Sequence, residues 1–272
     1  MSSPVPVVPV APIVPASHVV RVPVTTVWSS PESPRAVDRP AVADEPDVAQ
    51  WLAALDANAS DDESGDGRLG LHGRVETQLL AGEPVIVTHT HETGASGSWS
   101  HVVAPWQLSP EEERGYPGWV PSAHLTATPD AGPAPLPTAD LGPDASPHDG
   151  ADHPAVTEAR RHIGLPYLWS GVSPHGFDCS GLVLHTWRRM GVVVARDAYA
   201  QADFATPVEL DAVRSGDLYF FARPGRRIHH VGIVVRPGRM VHASETGGVL
   251  VEEDLPADRV ATLVAAGRLP MP

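Results

Sequence analysis

A single cysteine stands among 14 histidines in this 272-residue chain, and a thiol paired with an imidazole is the first chemistry these residue types offer. Cys179 lies in Gly176-Phe177-Asp178-Cys179-Ser180-Gly181. The segment 180–190 carries Leu182, Val183, Thr186, Trp187 and Met190 on one helical face, and Asp178 is placed to cap that helix. Cys179 then falls in the first turn, where unpaired backbone N–H groups and the helix dipole favour an anion. A free thiol with a pKa near 8.5 is barely ionised at neutral pH. A histidinium partner at a helix start lowers that value to about 4 and makes nearly all of it nucleophile. The plain alternative is a buried structural cysteine, and the polar neighbours Asp178 and Ser180 count against it.

Position selects among the histidines. In His229-His230-Val231-Gly232-Ile233-Val234-Val235, period-two alternation puts Val231, Ile233 and Val235 on one face and His230, Gly232 and Val234 on the other. The turn at 236–239 reverses the chain into Met240-Val241-His242-Ala243. A register in which paired residue numbers sum to about 474 makes His230 and His242 diagonal neighbours on one face, about 7–8 Å apart at Cβ, close enough for two rings to share a hydrogen bond. His242 would then orient His230 as the third member of a Cys-His-X triad. A slip of one residue destroys the arrangement.

These residues need a scaffold. After residue 154 the pattern predicts a helix over 157–163, the helix over 180–190, and strands over 217–221, 230–235, 240–243 and 249–252, an α+β arrangement. The interval 128–154 is rich in proline and nearly devoid of large apolar side chains, so it reads as a linker. Before it, short β-branched runs such as 84–90 and 100–104 suggest a small all-β barrel over 19–127. Within that region 46–55 reads as a helix with Val48, Trp51, Leu52 and Leu55 on one face, and 61–66 as a solvated acidic loop. Residues 1–18 read as a flexible Pro/Val-rich start.

Composition removes other classes. A net charge of −14 gives no field to attract nucleic acid or an anionic membrane. All 19 basic residues are arginine, so a Walker A lysine, a Schiff-base lysine and a Ser-Lys dyad are excluded. One cysteine makes neither an internal disulfide nor a thiolate cluster. His89 and His91 alternate on a strand, but two candidate ligands without a third do not make a metal site. No metal or cofactor is assigned. With neither a signal-peptide pattern nor a run of apolar residues long enough to span a bilayer, the expected location is cytoplasmic.

Gly164-Leu165-Pro166-Tyr167, Asp178-Cys179-Ser180-Gly181-Leu182, Arg196-Asp197, Gln201, Gly216-Asp217-Leu218, His230-Val231-Gly232-Ile233 and His242-Ala243 together resemble the NlpC/P60 cysteine peptidases, which have a papain-like fold. The resemblance spans about 155–255, within an expected catalytic domain over 155–272. It implies Cys179 as nucleophile, His230 as general base and then acid, His242 as the orienting residue and Tyr167 as a substrate contact. Thr26-Val27-Trp28, Glu76-Thr77-Gln78 and Gly115-Tyr116-Pro117-Gly118-Trp119-Val120-Pro121 are similar to the bacterial SH3-like domain of cytoplasmic γ-D-glutamyl-L-diamino acid endopeptidases. There the barrel closes one end of the cleft, so that only wall peptides with a free N-terminal L-Ala fit. The implied partner is a murein peptide, L-Ala-γ-D-Glu-diamino acid, in peptidoglycan recycling. By the same matching, Glu76 and Tyr116 join Tyr167, Asp178, Ser180 and Asp197 around the substrate amine and D-Glu.

An ammonium taken from water needs carboxylate partners, and Glu76 with Asp178 would supply two. Asp178 as a simple cap, Glu76 as a solvated strand residue and Tyr116 as packing are the plain alternatives, and Arg196 reads as an internal ion-pair partner. The chain departs from the pattern in having Ala198 where the family often has serine, and only the linker where a second SH3-like domain can occur. Two other readings are a secreted hydrolase of polymeric wall and a non-catalytic wall-fragment binder.

Overall fold

The computed structural model describes residues 17–59, 62–93, 97–128 and 152–271. The expected 1–18 start and 128–154 linker lie outside these residues except at their edges.

Seven short strands come first: β1 (His18–Val20), β2 (Val24–Trp28), β3 (Val75–Leu80), β4 (Pro84–Glu92), β5 (Ser98–Ala104), β6 (Tyr116–Pro121) and β7 (Leu125–Ala127). They form one antiparallel sheet in the order β3-β2-β6-β5-β4-β1-β7. The region is not all β. Between β2 and β3 the chain inserts α1 (Arg39–Val42) and α2 (Val48–Ala57). Asp47 caps α2 by accepting from the Gln50 N–H at 2.9 Å. Val48, Trp51, Leu52 and Leu55, spaced for one face, pack against Trp28, Leu71, Val75 and Trp99. Burying each such side chain is worth roughly 1.5–3 kcal/mol.

The second half carries α3 (Pro154–Arg160), a hairpin of β8 (Val172–Ser173) and β9 (Gly176–Phe177), α4 (Cys179–Arg189), α5 (Ala198–Phe204), β10 (Thr206–Val208), β11 (Leu218–Ala222), β12 (Ile228–Arg236), β13 (Arg239–Ser244), β14 (Val249–Asp254), α6 (Ala257–Thr262) and β15 (Leu263–Arg268). Its main sheet runs β10-β15-β11-β12-β13-β14. The helix expected over 157–163 starts earlier, because Pro154 sits at the first turn, where its missing N–H costs nothing, and His153 accepts from the Ala155 N–H. Neither α5 nor β15 was expected. The Leu-Val-Ala-Ala-Gly-Arg run of β15 has little β-branched signal, and tertiary pairing with β10 and β11 makes it a strand.

Every residue of α4 from Cys179 to Arg188 is buried, not one face only. Sheet strands β12 and β13 and helix α3 cover part of it, and the first sheet covers the polar remainder through a buried Arg188–Glu83 ion pair at 2.6 Å. Further contacts join the halves: Ser170 Oγ donates to the Val75 carbonyl at 2.9 Å, and Gln78 Oε1 accepts from Ser173 Oγ at 3.0 Å. Among the described residues no helix is long and apolar enough to cross a membrane.

Candidate active site

A cleft of about 760 Å³ opens between the two halves, and its walls include Cys179, His230, Tyr167, Asp178, Ser180, Asp197, Glu76 and Tyr116. Of the expected site residues, His242 alone stands behind this wall, fully buried. A neighbouring pocket of about 280 Å³ shares Glu76, Tyr116 and Asp197 with the cleft.

Cys179 is the first residue of α4. Asp178 Oδ1 caps the helix, accepting from the Gly181 N–H at 2.5 Å. Gly181 itself is required, since a Cβ there would strike the Gly171 carbonyl oxygen. The cap and this close approach hold Sγ 4.0 Å from the carbonyl of His229, the residue before His230.

The strand register brings the two histidines together. Ile233 pairs with Val241 and Val234 with Met240, the expected sum of 474. His230 Nε2 lies 2.8 Å from His242 Nδ1. Gly232 makes this possible, because a side chain there would run into Met240 Sδ and crowd His242 Cβ. The other nitrogen of His242, Nε2, lies 3.0 Å from Glu253 Oε1. A carboxylate only accepts, so His242 carries its proton on Nε2 and offers Nδ1 as an acceptor. His230 must then donate from Nε2, which leaves its Nδ1 without a proton. Glu253 was missed in the sequence. The β13–β14 register, His242 opposite Val251, puts Glu253 one diagonal step away on the same face, so strand arithmetic carried one strand further would have found it.

Burial decides the resting charge. It pushes the Cys179 thiol up to about 12, assisted by the charge of Asp178 and opposed by the Val231 and Ser180 N–H groups. Burial likewise holds His230 well below its ordinary 6.5. Burial thus opposes charge on both the thiol and the imidazole, against the pull of the helix-start N–H groups toward an anion. Cys179 is 8% exposed and His230 3%, so both groups are largely withdrawn from water.

Asp178 has a second task besides capping. Arg196, 1% exposed, donates to Asp178 Oδ2 at 2.7 Å and Oδ1 at 3.2 Å. It also donates to Ser180 Oγ at 3.0 Å and to Thr77 Oγ1 of β3 at 2.7 Å. Asp178 is thus ion-paired while still lining the cleft, and Asp197 is a further carboxylate close enough to raise Glu76. Tyr116 OH donates to Asp197 Oδ2 at 3.2 Å. Burial, and then the charge of Asp197, raise the pKa of Glu76 above its ordinary 4.5; burial raises Asp197 above 3.8. Two half-buried carboxylates that repel each other form a ready seat for a cation. Tyr167 is raised by burial and by nearby Cys179. His89 stacks on His101 at 4.8 Å around Trp119, outside the cleft lining.

Residues 164–260 match the NlpC/P60 family. The chain is 31% identical to a γ-D-glutamyl-L-lysine dipeptidyl-peptidase of Bacillus subtilis, across 85% of this chain and 90% of the relative. A protein of the same description from Bacillus cereus is 26% identical over 80% of each chain. The crystal structure of an NlpC/P60 family protein from Bacillus cereus superposes with a TM-score of 0.76 at 22% identity, covering 94% of this chain and all of that one, a likeness of fold.

Proposed function

The chain belongs to the NlpC/P60 family, and from that premise we propose that it is a cysteine endopeptidase that cuts the γ-D-glutamyl-diamino acid bond of murein peptides with a free N-terminal L-Ala. The relatives named for γ-D-glutamyl-L-lysine peptidase activity support the bond type. One observation carries the reading: Cys179 and His230 line the same cleft as the Glu76–Asp197 carboxylate pair.

In the mechanism we infer, Sγ attacks the γ-carbonyl carbon of D-Glu as the thiol proton passes to His230 Nδ1. The thiol proton moves to the imidazole as the carbon–sulfur bond forms. The developing oxyanion is met by the Cys179 backbone N–H, which at the start of α4 has no intrahelical acceptor. The tetrahedral intermediate collapses, His230 gives its proton to the departing amine, and the thioester remains. Water, deprotonated by His230, releases the acid and restores the thiol. His242 and Glu253 keep the imidazole in the required tautomer throughout.

The substrate ammonium sits between Glu76 and Asp197, with Tyr116, Tyr167, Ser180 and Asp178 around the L-Ala-γ-D-Glu unit. The first sheet acts as an SH3-like domain over residues 19–127, joined by a 128–154 linker to the catalytic domain at 155–272. The same amine requirement favours free peptides from wall turnover, hence recycling.

The test is product analysis with L-Ala-γ-D-Glu-diaminopimelate and its N-acetylated form. The free peptide should be cleaved and the acylated one at least about tenfold less efficiently, the loss of one charge-assisted contact. Equal cleavage would remove the amine site from the account.

A further inference from the structure

Behind the cleft, at the joint between α3 and α4, three side chains that the peptidase mechanism does not use converge. Glu158 near the end of α3, His162 four residues on, and His185 in α4 each present one ligand atom, all within 4.8 Å of one another. His162 Nε2 lies 3.7 Å from Glu158 Oε1. Glu158 is 5% exposed and His185 8%. The rings of His162, His185 and Phe177 are in mutual contact, with His162 and His185 edge to face at 5.0 Å.

Two nitrogens in this group are unexplained by packing. His162 Nε2 and His185 Nδ1 are buried and make no hydrogen bond among the described residues. Each such atom costs roughly 1–3 kcal/mol unless something satisfies it.

We propose that Glu158, His162 and His185 bind a divalent transition metal of the zinc class, pinning α3 to the helix that carries the nucleophile. Two imidazoles and one carboxylate suit that class and not calcium or magnesium, which prefer all-oxygen shells. The cation's rivals are Arg161, 2.6 Å from Glu158 Oε2, and Arg189, 3.9 Å from Oε1. Their side chains are 62% and 40% exposed, so both can swing into solvent, which lowers affinity without blocking the position. Glu158 and His162 are one helical turn apart in the sequence, but only the packing of α3 on α4 supplies the third ligand.

The experiment uses the full chain carrying Cys179→Ala, which removes the thiol as a competing ligand for zinc. After incubation with Zn²⁺ and dialysis, the protein should retain one equivalent by elemental analysis and show a raised unfolding temperature; Co²⁺ in its place should give a visible ligand-field spectrum. His185→Gln and, separately, His162→Gln in this background should lose the equivalent and the spectrum while keeping the far-ultraviolet circular dichroism of the parent. His162 lies in a partly exposed turn, so its variant keeps the test decisive if His185→Gln does not fold. Failure of the Cys179→Ala protein to retain zinc overturns the proposal. So does an equivalent that survives His162→Gln, including one lost instead on His101→Gln at the surface histidine stack.

Discussion

His230 and His242 are hydrogen-bonded through unlike nitrogens, Nε2 of the first to Nδ1 of the second, across 2.8 Å. That choice of atoms leaves Nδ1 of His230 outside the histidine pair and Nε2 of His242 for Glu253. Truncating His242 to alanine should lower kcat by roughly 10²-fold or more, with KM little changed, because the lost group orients a base and touches no substrate. Asparagine should restore part of the rate by accepting the same hydrogen bond. Glu253→Ala should cost on the order of tenfold in kcat by the same route. Steady-state kinetics on the free peptide check all three, and an unchanged kcat in His242→Ala removes it from the site.

Cys179→Ala should abolish turnover, a loss on the order of 10⁴–10⁶-fold. Sγ lies against the cleft, so its removal should shift unfolding by less than about 1 kcal/mol. Denaturant titration alongside product analysis separates loss of chemistry from loss of fold.

The Arg196–Asp178 pair joins the cap of α4 to Thr77 of the first sheet. Arg196→Met would leave Asp178 a buried carboxylate with no cation, and should destabilise the protein by roughly 3–5 kcal/mol in urea unfolding. Lysine should not restore stability, since one ammonium cannot reproduce the forked contact to Asp178 together with those to Ser180 and Thr77. A variant as stable as the parent would mean that the pair is replaceable.

Glu76 and Asp197 both titrate above their ordinary values of 4.5 and 3.8, chiefly through burial. Each must lose its proton to hold an ammonium, so kcat/KM for the free peptide should fall on acidification at a pH above the usual carboxylate range. Asp197 helps to raise Glu76, and Glu76→Gln leaves only one carboxylate that must lose its proton. The substitution should weaken binding of the free peptide and move the remaining acid limb to lower pH. A pH profile identical to the parent's would exclude Glu76 from the cation seat.

Local order in the sequence was enough for much of this. The polar flanks of Cys179 and the helical spacing behind it placed the cysteine at the start of α4. Alternation in β12 and the reach of one short turn gave the 474 register, because a slip would have turned three valine and isoleucine side chains out of the core. The four apolar positions of α2 were likewise legible from spacing. What the residues could not tell by themselves was which charges meet across long separations. Asp178 was open to be a cap or an amine ligand, and that it caps α4 while pairing with Arg196 emerged only in the fold. The cysteine's ionisation depended on how dry the assembled cleft is. Glu253 and the Glu158–His162–His185 group each needed a third strand or a second helix to be set beside them. Short-range periodicity reports which face of an element is buried; burial depth, and the partner waiting there, exist only once the two halves have closed on one another.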